Sequence, residues 1–143
     1  MKLISVLILF PIFMSAQIKQ KYDWKRAIAP SSLSFVAGAS WGLHETLQHH
    51  NDRFFRVFPG ASKRYWGVDC WKNKYEDPWY IPTQISDGLH LSATTHHVAL
   101  FGAGITIGIG KKRPFWHYCL DAGLSLASYS LGNYLVYDVI FHK

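Results

Sequence analysis

The sequence predicts an all-α protein, a small bundle of three main apolar helices, and three observations carry that reading. Residues 27–44 and 88–110 hold no Asp, Glu, Lys or Arg, and residues 114–141 hold only Asp121 and Asp138. A charge-free run as long as 88–110 reaches across a hydrocarbon layer of about 30 Å as a helix. Small residues recur in all three runs: Gly38 and Gly42; Gly102, Gly104 and Gly108; Gly123, Ser125, Ser128 and Gly132. In a soluble helix each interior glycine costs about 1 kcal/mol against alanine. In a bilayer, small residues four apart let helices approach closely. The expectation is therefore a transmembrane bundle. A compact exported α domain with glycine-packed helices is the competing architecture. The β-branched alternation at 105–109 also fits a buried strand, but the length of the uncharged run favours a helix.

The elements follow in chain order. Lys2, the apolar run 3–14 and the small residues Ser15 and Ala16 read as a signal peptide over residues 1–16, with an uncleaved anchor as the alternative. No cysteine follows that run, which argues against a lipid-anchored terminus. Residues 17–143 then form one helical domain, as a chain of 143 residues suggests. Within it, residues 49–87 form an aromatic-rich loop or cap; Pro59, Pro78 and Pro82 exclude a single continuous helix there. The break Lys111-Lys112-Arg113-Pro114 is short and implies an antiparallel hairpin of the second and third helices.

The chain is basic, with a net charge of +6. Its basic residues are scattered in short clusters beside apolar segments, which suits anionic lipid headgroups and not nucleic acid. The expected surroundings are the lipid bilayer, with a membrane-protein partner or a homo-oligomer as further possibilities. The expected place is the bacterial inner membrane, or alternatively the periplasm. Cys70 and Cys119 form no metal-type C-x-x-C pair and read as two thiols.

Each apolar run ends or begins with an acid and a histidine at helical spacing: Glu45 and His49, Asp87 and His90, His117 and Asp121, Asp138 and His142. At about 100° per residue, Asp87, His90, Thr94 and His97 share one face of the second helix, and His96 points away with Leu89, Leu100 and Ile107. Gly38, Trp41, Gly42, Glu45 and His49 form a stripe on the first helix. His117, Asp121, Ser125, Ser128 and Gly132 form one on the third. An antiparallel arrangement brings Glu45, His49, Asp87 and His90 to one end of the bundle. His49, His90 and His97 are thus candidate ligands for a divalent transition metal, with Glu45 or Asp87 as ligand or general base of a hydrolase acting on lipid or another envelope substrate. A hydrogen-bonded network that only fixes the packing explains the same residues. Familiar signatures are incomplete: in His44-Glu45-Thr46-Leu47-Gln48, glutamine stands where a zinc-binding helix needs its second histidine.

The segment CWKNKYEDPWY (70–80), followed by SDGLHLSATTHH (86–97), resembles a family of uncharacterised small bacterial membrane or envelope proteins. Its pattern is a tryptophan, then Asn-Lys-Tyr, then Asp-Gly-x-His opening an apolar helix. The matching positions are Trp71, Asn73, Lys74, Tyr75, Asp87, Gly88 and His90, and the resemblance covers most of residues 37–97. It implies an envelope location and no particular activity. Trp71, Asn73, Lys74 and Tyr75 are candidate substrate-binding residues, Lys74 meeting an anionic group over the acid–histidine cluster. Lipid-headgroup and interfacial contacts account for the same residues.

Overall fold

The computed structural model describes residues 21–70, 72 and 86–142, and all regular structure among them is helical. Helix α1 spans Lys25–His49, α2 Asn51–Val57, α3 Lys63–Trp66, α4 Gly88–Gly108 and α5 Phe115–Tyr134. The last continues into a π-helical segment, Leu135–Ile140. The all-α expectation and the three long helices therefore hold. The expected signal peptide, residues 1–16, lies outside the described residues. The expected loop 49–87 is partly helical, since α2 and α3 fall within it.

Local chemistry sets the helix ends. Before α1, the Asp23 carboxylate accepts the Lys25 N–H at 3.1 Å. At its far end the His50 N–H reaches the Thr46 carbonyl at 2.9 Å. Asp87 stands in extended backbone as the N-cap of α4 and accepts the His90 N–H at 2.9 Å, satisfying a donor that the first turn leaves without a partner. Past α4 the chain turns at Gly110, whose φ of +111° an L side chain rarely adopts. Arg26 clamps that turn by donating to the Ile109 carbonyl at 2.6 Å.

Helix α1 is the centre of the bundle, and α4 and α5 both pack mainly on it. Helix α4 begins beside the end of α1, where His44 meets the Leu89 carbonyl, and ends beside its start, where Arg26 meets Ile109. It is therefore antiparallel to α1. Helix α5 starts beside Tyr22 and ends beside His50, so it runs parallel to α1. The two helices of the expected hairpin are antiparallel, yet they meet α1 far more than each other.

Glycine makes the α1–α5 contact possible. A Cβ on Gly38 would lie 2.0 Å from the Tyr129 carbonyl oxygen, and one on Gly132 would lie 2.3 Å from that of Phe35. The expected Gly38-x-x-x-Gly42 packing is thus present. The expected Gly104-x-x-x-Gly108 packing is not: a Cβ on either glycine meets nothing within 4 Å.

The inward face of α4 also differs from expectation. Gly88, Ser92, His96, Ala99 and Ala103 are buried, whereas His97 is exposed. Small side chains at Gly88, Ser92, Ala99 and Ala103 let α4 approach α1, and His96 shares that face through its contact with the Ala37 carbonyl; of the expected stripe, Asp87 is buried and His97 turns outward. Among the described residues, a cluster of large apolar side chains lies at the end capped by α2 and α3. There Leu47, Phe54 and Phe141 form a buried cluster with Leu43, Leu89, Trp66 and Val136 against it.

Among the described residues, no helix is long and apolar enough to cross a membrane. Helix α4 has 21 residues, a length of about 31 Å at 1.5 Å each. What its charge-free run lacks is hydropathy, since His90, Ser92, Thr94, Thr95, His96 and His97 crowd its first half.

Candidate functional site

Three polar centres lie along the bundle. The first lies at the capped end. Asp87 is 1% exposed; its Oδ2 pairs with His90 Nδ1 at 2.8 Å and accepts the Ser86 hydroxyl at 3.1 Å. The Trp66 ring lies over the start of α4, so close that a Cβ on Gly88 would come within 2.1 Å of it. Burial works to raise the Asp87 pKa, but the hydrogen bonds from the His90 backbone and ring and from Ser86 outweigh it and hold the carboxyl below its ordinary 3.8. The folded state therefore holds this proton less tightly than the unfolded chain. The resulting stability is complete above pH 3.8 and is lost as pH falls through the lower, folded value. Asp87→Ala is expected to cost about 1 kcal/mol as a lost cap. It should also flatten the acid limb of the stability profile, read by circular dichroism melts between pH 2 and pH 7. An unchanged acid limb would show that Asp87 does not set it.

Glu45 and His49 form a second pair at 3.5 Å, on a more exposed part of α1. Such a pair is worth about 0.3–0.5 kcal/mol. His97 is exposed and meets the edge of His96, with ring centres 4.9 Å apart. Among the described residues, no group of three or more His, Cys, Asp or Glu is placed to hold a metal ion. The expected ligand set His49, His90 and His97 is thus not assembled, because α4 turns His97 outward and because Asp87 and Glu45 each pair with the histidine on their own helix. The expected substrate-binding residues Trp71, Asn73, Lys74 and Tyr75 lie outside the described residues.

The second centre, at mid-bundle, escaped the sequence reading. His96, expected to face away, is buried, and its Nδ1 lies 3.1 Å from the Ala37 carbonyl of α1. A carbonyl only accepts, so Nδ1 carries a proton. Trp41 packs against His96 with ring centres 4.9 Å apart and stacks on His44 at 5.0 Å. His44 Nδ1 lies 3.2 Å from the Leu89 carbonyl and 3.5 Å from the Ser92 hydroxyl. The legible signal was the buried small-residue spacing of Gly88, Ser92, His96, Ala99 and Ala103, which places His96 on the inner face.

The third centre closes the opposite end. Asp121, buried at the start of α5, accepts the Tyr22 hydroxyl and, at 2.6 Å, Arg113 Nη1. Arg113 Nη2 donates to the Ile107 carbonyl at 2.7 Å, and the guanidinium carbon lies 4.4 Å from the centre of the Tyr118 ring. Burial disfavours the Arg113 charge, but Asp121 outweighs it and raises the guanidinium above its ordinary value. His117, also buried, meets the Tyr22 ring edge-on at 5.3 Å. Of the expected stripe, His117, Asp121, Ser125 and Gly132 are buried, and Ser128 is half-buried.

Burial, and then the hydrogen bond to Asp121 and its charge, push the Tyr22 pKa up from 10 to about 12. A raised pKa contributes stability that is complete below pH 10 and lost as pH rises toward 12. Tyr22→Phe should remove the part of the alkaline destabilisation that falls in this window. Melts from pH 8 to pH 12 read it, and a variant that follows the wild-type alkaline limb would contradict the role given to Tyr22.

In the second and third centres a polar group on one element binds a group on another, and these two therefore fix helix positions, as a satisfied interior network does; the first caps the start of its own helix. A comparison with known protein families, with curated proteins and with solved structures gives no match.

Proposed function

We propose that the chain is a small helical membrane protein of the bacterial envelope, with a structural or partner-binding role. One observation carries this reading: the side chains are distributed inside out. The largest fully buried side chains are Thr46, Asp87, Asp121, Pro30 and Ser34, whereas Phe101 is 73% exposed and Val98, Ile109, Phe115 and Leu126 are exposed with it. A soluble domain buries its large apolar residues and rarely shows continuous apolar surface. In lipid the apolar faces meet acyl chains, small residues carry the helix contacts, and ionisable groups turn inward in pairs.

Charge placement agrees. Residues 27–44 and 88–110 carry none, and the charges collect at the two ends of the bundle. The interior histidines, serines and threonines that lower the hydropathy of α4 bond to α1 or to their own helix, so their exposure to lipid is limited. The resemblance of residues 37–97 to small envelope proteins supports the same place, and the inner membrane is the compartment proposed.

The test is fractionation of bacteria expressing the full chain. The protein should sediment with inner membranes, resist alkaline carbonate and urea, and dissolve in detergent. Recovery in the aqueous fraction without detergent would overturn the proposal.

A further inference from the structure

The capped end of the bundle carries a groove that the three polar centres do not use. It has a volume of about 800 Å³, within the range of small-molecule sites, and opens between α1, the α2–α3 segment and the π-helical segment. Leu43, Phe54, Phe58, Trp66, Val136 and Phe141 give it an apolar wall, and Ser40 also lines it. Phe54 stacks on Trp66 at 5.2 Å and packs on Phe141 at 5.8 Å, so the wall is a braced aromatic surface.

Two basic residues stand on helix faces that also carry wall residues of this groove. Arg53 lies four residues before the wall residue Val57 on α2, and Lys63 lies three before Trp66 on α3; each pair shares a helix face. Neither Arg53 nor Lys63 has an ion-pair partner among the described residues, whereas Arg56 is paired with Asp52 at 3.2 Å. An apolar slot with cations on the same helix faces as its wall residues fits a molecule that is an aliphatic chain at one end and an anion at the other.

We infer that the groove between α1, α2 and the π-helical segment binds an anionic phospholipid, an acyl chain lying along Phe54 and Trp66 and the headgroup phosphate meeting Arg53 and Lys63. The inference rests on the proposed membrane location, which supplies the lipid. Its chemistry is selective: phosphatidylcholine offers the same chain but a headgroup whose ammonium cancels the phosphate charge, so it gains little from the two cations.

The experiment uses the full chain reconstituted in phosphatidylcholine vesicles, with a fixed fraction of either phosphatidylglycerol or phosphatidylcholine carrying brominated acyl chains. Bromine quenches tryptophan at close range, and the difference between wild type and Trp66→Phe isolates the groove from the other tryptophans. Trp66-dependent quenching should be stronger with brominated phosphatidylglycerol. Arg53→Gln and Lys63→Gln should each weaken that preference about fivefold, as expected for one cation near an anionic headgroup. The charge-conserving pair Arg53→Lys and Lys63→Arg should retain it, which separates charge from folding. Equal quenching by the two lipids in inserted protein overturns the inference and leaves the membrane location standing. Failure to associate with vesicles of either composition overturns both. A preference that persists without Trp66 or both cations places the lipid elsewhere and also overturns the inference. So does an Ala61→Trp variant that loses self-association on cross-linking while its lipid quenching is unchanged, because the groove then seats a second copy.

Discussion

Asp121→Ala is expected to lower the stability of the bundle by about 3–5 kcal/mol. The substitution removes one partner of an ion pair in which both side chains are almost wholly buried, Asp121 at 1% and Arg113 at 6% exposure. It leaves the guanidinium without its counter-charge, held only by the Ile107 carbonyl and the Tyr118 ring. The Tyr22 hydroxyl loses its acceptor in the same step. The size of the loss reflects the cost of a stranded charge more than any worth of the pair, and a second variant separates the two. Asp121→Leu combined with Arg113→Met removes both charges at similar volume, and such exchanges run from neutral to stabilising. Denaturation in detergent, followed by circular dichroism, should therefore show a deep loss for the single variant and recovery of most of it in the double. A single variant within about 0.5 kcal/mol of wild type would mean that the pair behaves as a surface one.

Gly38→Ala should be nearly as damaging, although it adds one methyl group. That methyl would overlap the Tyr129 carbonyl oxygen at 2.0 Å, and the obstacle is backbone, which cannot rotate aside. The helices α1 and α5 must separate, at a cost of about 1–3 kcal/mol, and separation also strains the Gly132 contact with Phe35. Gly104→Ala is the matched control. Nothing lies within 4 Å of its added methyl, and alanine is the better helix former by up to about 1 kcal/mol. The two melting temperatures should move in opposite directions; a shared direction would show that helix propensity, not packing, governs both sites.

These two glycines also show what the sequence disclosed and what it withheld. Gly38-x-x-x-Gly42 and Gly104-x-x-x-Gly108 carry the same signal, yet among the described residues only the first meets another helix. Spacing reveals a face that permits close approach; it does not reveal whether a partner stands opposite. The long helices were legible because charge is absent over whole helix lengths. The acid–histidine pairs Glu45–His49 and Asp87–His90 were legible because both partners lie on one helix at fixed spacing. Their convergence into a metal site was not, since it depended on the rotation of α4. Polarity suggested that His97 faced inward, but Gly88, Ser92, Ala99 and Ala103 set the crossing face, and His96 is the histidine that shares it. The Tyr22–Asp121–Arg113 centre was hidden for another reason: Tyr22 stands far from its partner in sequence, and no periodicity links them.

The parallel course of α1 and α5 has a consequence for the order in which the molecule is made. Tyr22 and Asp121 are 99 positions apart, so the contacts that anchor the first long helix wait for the last. During synthesis α1 meets α4 first and holds it through the Ala37 and Leu89 carbonyls. Its glycine face stays open until α5 emerges. Connectivity therefore makes the partner of the α1 glycine face the last of the long helices to be synthesised. The interval before α5 arrives is when the face of Gly38 and Gly42 is exposed to quality-control proteases or to a helix from another protein.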